Sequence, residues 1–196
     1  FLYDVTNQSL RDPRQVKTRL KLPLLASIPR KSEDAIVDDL SHAFSELYES
    51  YFSLTSSIAF NAGGDVPASI MVTSSRPGEG KSLSAVAVAY LLARQNKRVL
   101  LVDCDLRNSG IGKYINSNAP VGLSQYLLGN DDWRSMVQES DPLDGFGVIS
   151  AGRRTHSVAE LLSNGRLQHL LNEAEAEYDH VVLDGPPVLG LADAPM

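Results

Sequence analysis

One loop constrains the fold of this chain more than any other stretch. Residues 68–86, ASIMVTSSRPGEGKSLSAV, are typical of a buried strand, a tight loop and the first turns of a helix. Gly80, Lys81 and Ser82 stand at the junction between the loop and the helix. Such a loop turns several backbone N–H groups inward, and the helix N-terminus adds positive charge, so both favour phosphate groups. The alternative is a Gly/Pro turn without a ligand, but Gly-Lys-Ser at this junction favours a nucleotide-phosphate site.

The spacing within the loop predicts a role for most of its residues. Ser75 takes the first position of the phosphate-loop pattern, where glycine is usual, while Gly78 and Gly80 keep the backbone flexible. We expect Lys81 to reach the β- and γ-phosphates and Ser82 to bind Mg²⁺. The predicted nucleotide-binding residues, including one arginine from a later loop, are Ser75, Pro77, Gly78, Glu79, Gly80, Lys81, Ser82, Leu83 and Arg107.

Composition indicates a small globular domain. With 196 residues, 43% of them hydrophobic and 21% charged, the chain fits one domain with at most a small appendage. A net charge of −6 gives no indication of a nucleic-acid partner. The single cysteine, Cys104, excludes an internal disulfide and fits a reducing compartment. Because the chain starts at Phe1 and stops soon after a strand motif, we expect it to be part of a longer protein.

Strand and helix patterns alternate along the chain. Apolar runs predict strands at residues 70–74, 98–103, 146–150 and 180–184, and the unbroken run of the second favours a strand covered on both faces. Apolar residues at helical spacing predict helices at residues 40–60, 81–95, 123–128, 133–138 and 166–177. The alternation predicts an α/β fold of the P-loop NTPase type, with a mostly parallel sheet flanked by helices on both faces.

The chain divides into two parts of unequal size. We assign residues 1–39 to a lead-in, of which the charged stretch 31–39 is expected to be a loop, and residues 40–196 to a P-loop domain that is incomplete at its C-terminal end. The first helix of that domain carries one apolar stripe, which we expect to pack on the sheet; contact with a neighbouring subunit is the alternative. The stripe consists of Leu40, Ala43, Phe44, Leu47, Tyr51, Leu54 and Ile58.

Two of the predicted strands end in acidic residues. Asp103 and Asp105 close the second strand, where alternate residues point the same way, and Asp184 closes the last. Because ligands bind beyond the carboxyl ends of parallel strands, we expect all three acids near the phosphate loop. Carboxylates there suit Mg²⁺ and are able to accept a proton from an attacking hydroxyl. Taken alone, each acid is better explained as a solvated strand end, but the acids converge on one edge of the sheet. Arg107 is equally well explained as a phosphate ligand or as a surface arginine.

Three segments, in this order, resemble the Walker A, Walker A′ and Walker B motifs of bacterial tyrosine kinases: SSRPGEGKS, VLLVDCDLR and VVLDGPPV. These kinases are the cytoplasmic domains of capsular and exopolysaccharide chain-length regulators. The resemblance runs from about residue 41 to residue 195 and includes the segment VAELLSNGRL. The earlier segment LKLPLLASIPR resembles the linker that follows the second transmembrane helix of these proteins.

The resemblance implies a protein-tyrosine autokinase that depends on ATP and Mg²⁺. Carried over by motif, the catalytic residues are Lys81, Asp103 and Asp105, and the metal site comprises Ser82, Asp103, Asp105 and Asp184. It also implies a membrane-anchored parent chain, at the cytoplasmic face of the bacterial inner membrane. There a homo-oligomer forms in which one subunit phosphorylates a tyrosine-rich tail of its neighbour. Phosphorylation cycles would tune polysaccharide polymerisation and export through the export machinery.

Some positions depart from the family pattern. The Glu-x-x-Arg-x-x-Arg subunit contact corresponds here to Glu46, Glu49 and Phe52, without the arginines, and the seven tyrosines are scattered rather than clustered. The loop after Asp105 reads Leu-Arg-Asn-Ser where Leu-Arg-Arg-Pro is common. Two alternatives stay open: an ATPase switch of the chromosome-partition or division-site type, and a nucleotide-binding regulatory module that transfers nothing. Arg76, where such switches carry lysine, favours the kinase.

Overall fold

The structure is a computed structural model, which describes residues 12–13, 15–31, 33–115, 120–129, 132–140, 146–155 and 157–189. The predicted lead-in before residue 12 and the end of the predicted domain from residue 190 lie outside the described residues. The strands are β1 (Ser69–Val72), β2 (Val99–Asp103), β3 (Gln138–Glu139), β4 (Phe146–Ile149) and β5 (His180–Asp184). The helices are α1 (Glu33–Ser41), α2 (Glu46–Asn61), α3 (Lys81–Ala93), α4 (Leu123–Leu127), α5 (Val158–Ser163) and α6 (Arg166–Glu177).

One mostly parallel sheet organises these elements, in the order β1-β5-β2-β4-β3. Its four longer strands are parallel, as the sequence predicts, and the two-residue strand β3 pairs antiparallel with β4. The helix predicted at residues 133–138 is present only as a 3₁₀ turn at Trp133–Met136. Strand β3 begins at Gln138, where that helix was predicted to end. The strands β2 and β5 lie at the centre of the sheet, so the two acid-terminated strands are neighbours.

Helices cover both faces of the sheet, which confirms the predicted α/β architecture. Alternate residues of β2 point to opposite sides, so Val99 and Leu101 belong to one apolar cluster while Leu100 and Val102 belong to the other. The first cluster packs against α1, α2 and α3, and the second against α4, α5 and α6. Helix α3 is apolar nearly all round and almost entirely buried, as expected of a helix enclosed between the sheet and another helix.

The prediction of one continuous helix at residues 40–60 is wrong, because two helices cover this stretch. α1 begins at Glu33, within the stretch predicted to be a loop, and its Ile36 and Leu40 enter the first apolar cluster. A turn follows at residues 42–45, and the Ser45 hydroxyl then caps α2 by accepting a hydrogen bond from the Tyr48 amide at 3.0 Å. The turn rotates Phe44 away from the predicted stripe, which leaves this side chain 97% exposed.

The described part of the lead-in before α1 is largely irregular. A short π-helical turn forms at Val16–Leu20, and residues 21–31 then run without helix or strand towards α1. Ile28 packs against the first apolar cluster, and Lys31 forms ion pairs with Asp39 and Glu46. Within the described residues, no helix is both long enough and apolar enough to cross a membrane.

Candidate active site

The site forms where β1, β2 and β5 end side by side. The register places Val72 opposite Asp184, and Asp184 in turn opposite Asp103 on the other side of β5. The phosphate loop follows β1 directly and leads into α3, so the loop and both acids meet at one edge of the sheet. The convergence predicted from the ends of the strands is therefore present in the structure.

The phosphate loop turns sharply before α3. Gly80 caps the helix with φ +86°, a left-handed conformation that glycine adopts without strain. Before it, the Glu79 carboxylate accepts a hydrogen bond from the Arg76 amide at 3.0 Å, which closes the loop on itself. The main chain after β5 supports the loop from the side, because the amides of Val188 and Leu189 donate to the carbonyls of Ser74 and Ser75. The loop is thus bounded by the segment that follows the Walker B acid.

Lys81 is a cation of the site and is almost completely buried. Its Nζ lies 2.9 Å from Asp105 Oδ2 and 3.4 Å from Asp184 Oδ1, and it donates to Ser82 Oγ at 3.3 Å. Burial alone would lower the pKa of the ammonium. The hydrogen bond to Asp105 and the charges of Asp184, Asp105 and Asp103 outweigh burial, so the pKa of Lys81 lies above its usual value. The lysine therefore keeps its charge at neutral pH.

Asp103 is fully buried at the end of β2. One carboxylate oxygen accepts the Ser109 hydroxyl at 2.6 Å, and the other accepts the Asp105 amide at 3.0 Å. Burial, together with the neighbouring charge of Asp184, raises the pKa of Asp103 to about 7 despite the Ser109 hydrogen bond. A carboxylate with such a pKa is suited to accepting a proton near neutral pH.

The two carboxylate oxygens of Asp184 differ in their surroundings. Its Oδ1 faces Lys81, whereas its buried Oδ2 has no hydrogen-bond partner among the described residues. Burial raises the pKa of this carboxyl, against the opposite effects of the Ser82 hydroxyl and the Lys81 ammonium. A buried oxygen without a hydrogen-bond partner destabilises the fold unless a ligand or an ordered water binds it. Because Mg²⁺ prefers oxygen ligands, a carboxylate oxygen in this position fits the ion.

The carboxylates do not form a preformed metal cage. No group of three or more His, Cys, Asp or Glu side chains within the described residues is arranged to hold a metal ion. This agrees with the usual mode of Mg²⁺ binding, in which one or two protein oxygens are completed by phosphate oxygens and water. Ser82, Asp103, Asp105 and Asp184 are thus candidate ligands, of which Asp105 is also the partner of Lys81.

A cleft of about 460 Å³ opens over the phosphate loop. Six of the nine predicted nucleotide-binding residues line it: Pro77, Gly78, Gly80, Lys81, Ser82 and Arg107. Ser75 and Glu79 lie beside it in the loop, and Leu83 packs towards the first apolar cluster instead. The sequence reasoning missed six other wall residues, which are Asn108, Ser109, Gly110, Lys113, Tyr114 and Pro187. All six follow the Walker A′ and Walker B acids closely in the sequence, and this closeness could have indicated that they line the cleft.

Comparisons with known proteins agree with this geometry. A family model described as an AAA domain matches residues 68–194, which is more than half of the chain and contains the phosphate loop and the acid-terminated strands. The tyrosine-protein kinase YwqD of Bacillus subtilis is 38% identical over 74% of this chain and 61% of its own length. The chain spans less than two thirds of the length of the curated kinases it matches.

Solved structures extend the likeness to almost the whole chain. The BceF tyrosine kinase domain is 32% identical and superposes with a TM-score of 0.81, covering 95% of this chain and 80% of that one. A cobyrinic acid a,c-diamide synthase from Mycobacterium smegmatis, solved with an ATP analogue and magnesium, is 25% identical, with a TM-score of 0.55 over 64% of this chain and 53% of its own. The P-loop fold is therefore shared with a protein that binds these ligands. With its AAA domain and its kinase relatives, the chain belongs to the bacterial tyrosine kinases.

Proposed function

We propose that this chain is the catalytic domain of a protein-tyrosine autokinase that uses ATP and Mg²⁺. The observation that carries the proposal is the buried Lys81, held between the Walker A′ acid Asp105 and the Walker B acid Asp184 beside the phosphate loop. The names of the kinase relatives support tyrosine as the acceptor. Phosphoryl transfer needs positioning and charge neutralisation more than covalent chemistry. The phosphate loop would supply the first and Lys81 the second.

The phosphate loop and Lys81 would bind the triphosphate. Gly78, Gly80, Lys81 and Ser82 line the cleft at the start of α3, where backbone N–H groups and the helix dipole favour negative charge. Lys81 would exchange its carboxylate partners for phosphate oxygens, because its Nζ sits at the cleft wall with two anions already within 3.4 Å. Arg107, which lines the same cleft, adds a second cation for the phosphates.

The Mg²⁺ ion would be held by the Ser82 hydroxyl and by Asp184, whose Oδ2 lacks a hydrogen-bond partner among the described residues. When bound, the ion neutralises charge on the transferring phosphoryl group. Asp103 would accept the proton of the acceptor hydroxyl, since its buried carboxylate has a pKa of about 7 and already receives one hydroxyl hydrogen bond. Before the nucleotide binds, Asp105 keeps Lys81 charged and in place.

The setting of the reaction belongs to the same proposal. The motifs resemble those of membrane-anchored polysaccharide regulators, so the domain would lie at the cytoplasmic face of the inner membrane. Its acceptor would be a tyrosine-rich tail of a neighbouring subunit. Phe52 stands where the family carries an arginine of the subunit contact, and it is 46% exposed on α2. Any contact through this face of α2 would therefore be more apolar than the usual one.

The test is phosphotyrosine formation by the parent protein with ATP and Mg²⁺. We expect a strong signal that the variant Lys81→Ala loses and the variant Lys97→Ala keeps, since Lys97 is an exposed lysine just past the same helix. ATP hydrolysis without phosphotyrosine would instead favour the ATPase switch, and neither activity would favour the regulatory module. Phosphotyrosine that persists in Lys81→Ala would point to another kinase.

A further inference from the structure

A second hydroxyl group sits at the proposed proton acceptor. Ser109 Oγ donates a hydrogen bond to Asp103 Oδ2 at 2.6 Å, which is the geometry expected between a nucleophile and its general base. Asp103 is fully buried, whereas Ser109 is exposed and lines the cleft over the phosphate loop. The residue whose hydroxyl already donates to this oxygen therefore lines the space in which the triphosphate would bind.

The backbone on both sides of Ser109 is held at the phosphate loop. The Asn108 amide donates to Asp105 Oδ1 at 3.0 Å, on the carboxylate whose other oxygen pairs with Lys81. On the far side, Gly110 packs so closely that a Cβ built there would lie 2.3 Å from Ser82 Oγ. Ser109 thus lies between two residues that contact the partner of Lys81 and the proposed magnesium ligand, next to the expected position of the phosphates.

We propose that Ser109 is an internal phosphoacceptor of this site, phosphorylated by the ATP bound to its own subunit. Ser109 Oγ forms a bond to the γ-phosphorus of ATP as its proton passes to Asp103 Oδ2. The bond between the γ-phosphorus and the β–γ bridging oxygen breaks, and ADP leaves. The inference rests on the proposed function, because it needs ATP in this cleft, but it does not need a tyrosine acceptor.

The product would alter the site that made it. A phosphoserine at this position carries close to two negative charges at neutral pH and would lie beside Asp103, with Asp105 and Asp184 also close. Like charges this close repel one another, so the loop at residues 106–110 would move away from the phosphate loop. Modification of Ser109 would then limit further nucleotide turnover by the same subunit.

The test uses the dephosphorylated parent protein, incubated with Mg²⁺ and isotopically labelled ATP and then digested with trypsin. Residues 108–113, NSGIGK, form a tryptic peptide in which Ser109 is the one hydroxyl residue. We expect phosphate on this peptide, at a rate per subunit that does not change with protein concentration. Ser109→Ala and Lys81→Ala should lose the label. The matched variant Ser135→Ala, which removes an exposed hydroxyl bonded to the Asp132 carbonyl at 2.7 Å, should keep it.

The outcomes separate this inference from the proposed function. Phosphotyrosine without phosphate at Ser109 overturns the inference and leaves the kinase proposal standing. Phosphate at Ser109 without phosphotyrosine supports the inference and overturns the tyrosine acceptor. A rate that rises with protein concentration, or label that persists in Lys81→Ala, overturns internal transfer. If ATP binds and neither residue is labelled, both proposals fail.

Discussion

Asp103 and Asp184 lie opposite each other across the parallel ladder of β2 and β5, and both carboxyl groups are fully buried. Their register follows from two apolar strands that end at the same level of the sheet. Lys81 offsets part of their charge, yet burial leaves the pKa of both acids raised. The sheet thus holds two acids at a place where their ionisation costs stability, which is typical of sites built for a cation or a proton transfer.

The first prediction concerns stability and pH. The pKa of Asp103 is about 7 in the folded chain and 3.8 at its ordinary value, so between these pH values the folded state holds a proton that the unfolded state releases. The free energy of unfolding should therefore fall as pH rises from about 4 to about 7, and this group should contribute at most about 4 kcal/mol to the fall. Above about pH 7 it should change little. Urea unfolding of the metal-free protein at several pH values measures the effect.

The matched variants for that experiment are Asp103→Asn and Asp65→Asn. The first removes the titrating group and should flatten the slope, although the raised pKa of Asp184 leaves some of it. The second changes an exposed acid in the loop before β1 and should keep the slope of the unaltered chain. An Asp103→Asn profile as steep as that of the unaltered chain would contradict the assigned pKa.

A second prediction follows from the pair of Lys81 and Asp105, 2.9 Å apart. Asp105→Asn removes an anion that both repels phosphates and competes with them for Lys81. Affinity for ADP without Mg²⁺ should rise about tenfold, which is about 1.4 kcal/mol, while Mg²⁺-dependent turnover falls by about 10²-fold. Calorimetric titration with ADP in chelator, beside a turnover assay, measures both effects. Equal losses of affinity and turnover would show that Asp105 mainly aids binding.

Asp103→Asn should separate the two acids in the same assays. A proton acceptor matters most in the transition state, so this variant should lose turnover by about 10²-fold or more with little change in ATP affinity. Asp65→Asn is the control for the loss of one negative charge. A loss confined to ATP affinity would exclude Asp103 as the proton acceptor.

The close approach of Gly110 to Ser82 gives a fourth prediction. Gly110 has φ −118°, which alanine adopts freely, so Gly110→Ala tests space alone. The new methyl group would fall 2.3 Å from Ser82 Oγ, and either the hydroxyl or the loop must move. We expect the KM for Mg²⁺-ATP to rise at least about tenfold, while urea unfolding changes by less than about 1.5 kcal/mol. An unchanged KM would mean that the loop shifts without disturbing the metal ligand.

A fifth prediction concerns the contact between α2 and α3. The hydroxyl groups of Tyr51 and Ser84 lie 3.0 Å apart, and the tyrosine is 1% exposed. A double-mutant cycle with Tyr51→Phe and Ser84→Ala should give a coupling energy of about 1 kcal/mol in urea unfolding. Strictly additive losses would indicate that the hydrogen bond adds nothing to stability. Tyr51 is thus expected to help hold the phosphate-loop helix against α2.

The sequence was sufficient for the parts of the site that lie on regular elements. Apolar runs that end in Asp103 and Asp184 mark strand ends, and parallel strands bring such ends together whatever the intervening loops do. The walls of the cleft were not predictable in the same way. Ser109 and Gly110 reach it through an irregular loop, whose path depends on hydrogen bonds such as that between Ser109 and Asp103, and Tyr114 follows a 3₁₀ turn at Ile111–Lys113.

The break between α1 and α2 was hidden for a different reason. Apolar spacing continues through residues 40–47, so periodicity favours one helix across the turn. The Ser45 hydroxyl caps the second helix, and a serine is equally common on exposed helix faces, so the cap carried little signal. Phe44 satisfied the apolar period and still became exposed, since the period describes spacing along a helix and not the point where the helix stops.

Cys104 lies between Asp103 and Asp105 and is buried in the second apolar cluster. Burial raises the pKa of its thiol far above the ordinary value, and the three neighbouring carboxylates raise it further. Because this is the single cysteine of the chain, its alkylation is a built-in probe of the site. A thiol reagent should label the folded chain only as fast as the end of β2 opens, and a bound nucleotide should slow that labelling.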